Sequence, residues 1–181
     1  MDAMEIQEQL DEVRVRLLET LASLPEESLL ESNVIGDWSV ADVLAHFVNW
    51  EAELVTALNH IDQGKKPARL LNALADRDAY NAQRYTDVAG RDLDRIFDDL
   101  QGVRAQLEEW LEEFSRTDLE TPGRYPGLGN RPLWKLIAVA SFEHEAAHIF
   151  GIEKFAEKWL EQSPPAADTS VDEVRENGHR P

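Results

Sequence analysis

Hydrophobic residues recur at helical spacing along most of the chain, and polar runs carrying proline or glycine separate the periodic stretches. From about Met4 to Leu24, Ile6, Leu10, Val13, Leu17, Leu18 and Leu21 form one stripe, with Glu, Gln and Arg between them as a solvated face. Pro25 follows and predicts a stop near Ser23 or Leu24. A second stripe, Val43, Phe47, Trp50, Leu54 and Leu58, fades between His60 and Gly64. Its start is well marked. Ser39 is placed to cap the helix, acidic Asp42 sits at the third helical position, and Trp38 and Val43 occupy the hydrophobic-staple positions. A polar loop, Gly64 to Pro67, then leads to a shorter helical segment at about Asn72 to Tyr85 and a break near Gly90.

A third long helix is predicted from about Asp92 to Phe114, with Leu93, Ile96, Phe97, Leu100, Val103, Leu107, Trp110 and Leu111 on its apolar face. Thr121 to Arg131 is rich in glycine and proline and reads as a loop. Asn130 can cap the helix that follows, and Pro132 suits a first turn, where its missing N–H has no partner to lose. That fourth helix runs to about Glu161. With no strand-like alternation and no internal repeat, the pattern predicts an all-α fold. It is a four-helix bundle over residues 1–162, with a short helical insert between the second and third long helices. Residues 163–181 are polar and contain proline, and are expected to form a disordered tail.

Composition narrows the function classes. The longest apolar runs fall short of the ~18 residues that suggest a membrane span. The acidic start, MDAMEIQEQLDEV, resembles neither a signal nor a transit peptide, so a cytoplasmic location is expected. Without cysteine there is no disulfide, thiolate nucleophile or cysteine-based metal site. A net charge of −18, with 36 acidic against 18 basic residues, argues against direct contact with nucleic acid or an anionic membrane.

Candidate chemistry gathers on the fourth helix. Its inward stripe runs Leu133, Ile137, Ala140, His144, His148, Phe155 and Trp159, so two imidazoles stand one turn apart on the face turned to the core. An i, i+4 histidine pair on one face can chelate a single ion. His46, on the flank of the second helix's stripe, completes a set of three if the second and fourth helices pack together. Imidazole ligands suit zinc, nickel, copper or iron. The alternative is three half-buried histidines, each satisfied by an ordinary hydrogen bond. His60 suits a helix C-terminus, and His179 lies in the tail. Asp42, Glu143 and Glu145 border the three and could orient their rings. Asn81 and Tyr85 share a face of the insert beside Tyr80 and Arg84, and Arg124 and Tyr125 lie in the loop before the fourth helix. Trp38, Trp50 and Trp134 are read first as core or staple residues.

The run Gly36-Asp37-Trp38-Ser39-Val40-Ala41-Asp42-Val43-Leu44-Ala45-His46, ending in Trp50-Glu51, resembles the helix-two signature of the DinB-like superfamily. Glu143-His144 with His148 resembles its helix-four signature, and Arg124 to Trp134 is similar to the ClbS/DfsB branch, whose best-known member protects its producer from a genotoxin. The resemblance covers about residues 4–162. It implies a bundle with a triad, here His46, His144 and His148, that binds nickel or zinc in many members and could be catalytic. It further implies a small-molecule substrate, electrophilic or toxic, and either hydrolysis or transfer of a bacillithiol- or mycothiol-type thiol. The alternative is a non-catalytic protein that sequesters such a molecule. Bundles of this type often pair, which makes a homodimer one expected state. Phe142 and Ala147 stand where the branch typically carries a tyrosine and an acidic residue.

Overall fold

The stripes become helices. The computed structural model describes residues 1–88 and 90–162, so the predicted tail lies outside the described residues. The four long helices are α1 (Ala3–Ala22), α3 (Val40–Asp62), α6 (Leu93–Glu113) and α9 (Phe142–Gln162). Between them lie α2 (Glu26–Leu29), α4 (Ala68–Ala75), α5 (Arg77–Val88), α7 (Arg116–Glu120) and α8 (Leu133–Ala140). Among the described residues the only β-type pairing is an isolated bridge between Ile35 and Trp38, so the fold is all-α. None of the described helices is long and apolar enough to cross a membrane.

Local chemistry sets the helix starts. Ser39 accepts the Asp42 backbone N–H while Asp42 accepts that of Ser39, closing the capping box that starts α3. Asp2 and Glu5 do the same for α1, and Asp92 accepts N–H groups at the start of α6. Two expected elements are divided. The insert is two helices, because Asp76 leaves the helical region (φ −139°, ψ 77°) between α4 and α5. The predicted fourth helix breaks at Ser141 (φ −129°, ψ −103°), whose hydroxyl donates to the Ile137 carbonyl at 2.7 Å. A hydroxyl that bonds back one turn competes with the helical ladder and bends it. Pro132, not Asn130, precedes the first turn of α8, and no side chain caps it.

α3 is the central element. It packs along α6 and also touches α4, α5, α8 and α9, while α1 lies along α9. That environment buries α3 nearly all round, and one face of each neighbour supplies the partner surface. The core divides into two apolar clusters. One is built around Ile6, Leu10, Trp50, Leu54, Leu107 and Ile137. The other is built around Leu17, Val43, Leu44, Leu100, Ile149 and Ile152.

On each long helix the boundary between the clusters is marked by one charged residue: Arg14, Glu51, Arg104 and Glu145. Arg104 donates to Glu51 Oε1 through Nε (3.1 Å) and Nη2 (2.6 Å), and to Glu145 Oε2 (2.9 Å). Arg14 donates to both Glu145 oxygens (2.9 and 3.1 Å) and at 3.4 Å to Glu51. Two guanidiniums thus neutralise two carboxylates inside the bundle. Burial pushes the Glu51 carboxyl up in pKa, against the pull of Arg104 and Arg14.

Candidate metal centre

His46 enters the site from the second turn of α3, held inward by the buried residues around it, Ala45 and Phe47. His144 and His148 enter from the first two turns of α9, one turn apart and half-buried. Their angular position depends on the restart of α9 at Phe142, after the Ser141 break. The buried seam of α9 itself is Glu145, Ile149, Ile152 and Ala156, so the two imidazoles flank that seam on the side facing α3.

The three rings converge. His46 Nε2 lies 2.9 Å from His144 Nε2, and ring centroids are 4.7 Å (His46–His144), 5.1 Å (His46–His148) and 4.9 Å (His144–His148) apart. One nitrogen from each ring falls within 4.8 Å of the other two. Nitrogens bound to one tetrahedral zinc at about 2.05 Å stand roughly 3.3 Å apart, a spacing that the triad brackets. The donor set fits a divalent metal.

Electrostatics point the same way. Burial, with the His144 and His148 charges adding to it, holds His46 down to about 2 in pKa. Burial, then His148, then the Arg77 cation bring His144 to about 3, and burial alone lowers His148. All three are neutral near pH 7. Neutral imidazole is the form that ligates a metal.

Aromatic rings close the surroundings. Trp38 stands edge-on to His46 at 4.9 Å, Trp50 lies 5.0 Å from His144, and Phe47 lies 5.8 Å from His148. α5 braces both indoles. Tyr85 stacks on Trp38 (5.9 Å, 8° between planes), Asn81 Oδ1 accepts the Trp50 Nε1–H at 3.0 Å, and the Arg77 guanidinium lies 5.8 Å from the Trp50 ring centre. Tyr80 packs edge-on against Trp50 and donates to the Asn49 carbonyl.

The sequence of residues 9–149 matches the family model of the DinB superfamily. The chain belongs to the DinB superfamily. No curated protein matches this DinB-superfamily chain. A crystal structure of an uncharacterised protein from Escherichia coli UTI89 has a similar fold, at TM-score 0.73 and 16% identity. The alignment covers 87% of this chain and 94% of that one. Within the DinB-type fold, then, α3 and α9 bring the three expected histidines together. The expected carboxylate supports are not found. Asp42 is spent on the Ser39 cap, Glu145 on Arg14 and Arg104, and Glu143 is exposed. His60 sits in the last turn of α3, apart from the three. Arg124 pairs with Asp118, while Tyr125 packs against Phe114, so that loop is shaped by its own contacts. Trp134 joins the first core cluster and is covered by Lys135.

Sequence reasoning missed the Arg14–Glu51–Arg104–Glu145 network and the position of Arg77. The network left a signal: Arg14 falls in phase with Leu10 and Leu17, and Arg104 with Leu100 and Leu107.

Proposed function

We propose that this DinB-superfamily protein is an enzyme acting on a small electrophilic molecule at His46, His144 and His148, with a divalent metal, nickel or zinc, held by the three. The observation that supports this most is the convergence of three neutral imidazoles, from two helices, to within 4.8 Å. A metal bound there supplies Lewis-acid polarisation of the electrophile or a more acidic bound water or thiol. The protein's own contribution is arrangement. His46 is the buried anchor beneath the site, while the half-buried His144 and His148 are the ligands nearer to solvent. Trp38, Phe47 and Trp50 exclude water around the rings, and the half-buried Trp38 offers flat apolar surface to a bound molecule.

The proton affinities favour ligand roles over acid–base roles. A general base works best with a pKa near the operating pH. His46 at about 2 and His144 at about 3 take up a proton too weakly to serve as one. Either hydrolysis or thiol transfer is compatible with this set, and a bacillithiol- or mycothiol-type thiol would be the co-substrate in the second case.

Purification without an affinity tag, followed by elemental analysis, tests the metal. About one ion per chain is expected, lost on replacing any two of the three histidines by alanine. Finding no metal, and no uptake of added zinc or nickel, overturns that part. Mass spectrometry after incubation with small epoxides and activated esters, with and without a low-molecular-weight thiol, tests the reaction. A hydrolysed or thiol-conjugated product supports the enzyme; bound but unchanged compound favours sequestration.

A further inference from the structure

Three residues of α5 one turn apart, Arg77, Asn81 and Tyr85, contact the two indoles that stand against the triad. Two of them are committed: Asn81 accepts the Trp50 N–H, and Tyr85 stacks on Trp38. Arg77 is not. Among the described residues, every other arginine except Arg131 lies at salt-bridging distance from a carboxylate. Arg77 has no such partner although aspartates flank it in sequence; Asp76 turns instead to the Ala79 backbone N–H at 3.1 Å. In a chain with twice as many acids as bases, an arginine without a carboxylate is out of keeping with its surroundings.

Helix energetics do not account for it either. Arg77 is the first residue of α5, the end where a cation opposes the helix dipole. What its position does supply is an exposed fork of N–H donors beside the triad. One indole, that of Trp50, has the Arg77 guanidinium 5.8 Å from its ring centre and the His144 ring centre at 5.0 Å. Arginine matches a carboxylate with two parallel N–H bonds, a geometry that orients as well as attracts.

We propose that Arg77 is a specificity-determining residue and that the molecule taken at the triad carries a carboxylate, gripped by Arg77 while its reactive part meets the half-buried histidines. This rests on the triad being the reacting site. The rival role for Arg77, a cationic cover for Trp50, needs only its stem and charge and selects no ligand.

The test uses the zinc-loaded full-length chain and two matched probe pairs, acetate with acetamide and benzoate with benzamide. The Trp50 indole N–H is followed by nitrogen-edited NMR. The carboxylates should shift that signal saturably and the amides should not. Arg77→Met keeps the stem and should weaken carboxylate binding about tenfold or more, while Arg77→Lys, a point charge without the fork, should fall between. Zinc content and melting temperature of R77M should stay close to those of the parent, because Arg77 is exposed, has no carboxylate partner among the described residues, and Met keeps apolar cover over Trp50. Equal binding of acid and amide, no saturable shift by either acid, or carboxylate binding unchanged in R77M overturns the proposal. If the parent takes up no zinc, the metal reading fails separately, and the same titrations on the zinc-free chain still decide the role of Arg77.

Discussion

Burial, with the neighbouring imidazoles adding to it, makes the triad resist protons, and that sets a pH signature. His46 and His144 hold folded-state pKa values of about 2 and 3, whereas an unfolded histidine titrates near 6.5. Between those values the unfolded chain binds protons that the folded triad refuses, so stability is full above about pH 6.5 and falls as the pH drops below it. Urea unfolding of the metal-free protein at pH 7.5 and pH 5 should show this loss. Replacing His46 and His144 by phenylalanine and glutamine should flatten the dependence over that window. A carboxylate-driven acid transition would instead begin lower, near pH 4. The two α9 histidines were legible in the sequence because spacing alone aligns residues one turn apart. Their meeting with His46 was not, since periodicity orients a side chain about its own helix and says nothing of which helix lies opposite. Asp42 stands one turn before His46, but its carboxylate is committed to the Ser39 cap. Glu143 and Glu145 fail as supports for a different reason. Neighbours in sequence along a helix point 100° apart, so a carboxylate beside a histidine faces elsewhere.

At the scale of elements, the long helices were readable because each is a continuous amphipathic stripe with a chemical start signal. The Ser39 cap tests how much that signal contributes. Ser39→Ala removes the acceptor of the Asp42 N–H and leaves Asp42 without its hydroxyl donor, so a loss of about 1 kcal/mol in urea unfolding is expected. The break at Ser141 was not legible, because Leu133 to Trp159 keeps helical spacing through it. Only the serine's bond to Ile137 and the packing around it end the turn. The buried network, by contrast, ties α1, α3, α6 and α9 at one level of the bundle, between the two apolar clusters. Arg104→Met leaves the Glu51 and Glu145 carboxylates buried with Arg14 alone, and should cost about 3–5 kcal/mol. Converting all four residues to apolar side chains of similar volume should recover most of that loss, since the solvation penalty goes with the charges. A shift of the urea midpoint at constant m value is the expected reading. A loss below ~1 kcal/mol for R104M would show that water reaches the carboxylates.

For the molecule as a whole, the triad is a potential cross-link between α3 and α9, helices 98 residues apart at His46 and His144. A ligand that binds the folded chain better than the unfolded one raises stability by mass action, about 2.7 kcal/mol at a hundredfold excess over its Kd. For a chain of this length that corresponds to a rise of roughly 5–11 °C in melting temperature. Zinc, added at increasing concentration to metal-free protein, should therefore raise the melting temperature steadily. His46→Ala leaves the His144–His148 pair, which the unfolded chain also possesses whenever that stretch turns helical. The pair alone thus discriminates little between the two states, and most of the zinc-dependent rise should vanish. His148→Ala should remove a similar share, because His46 and His144 then remain as two ligands without a third. A rise that survives both substitutions would place the stabilising zinc on the acidic surface of this −18 chain, away from the triad.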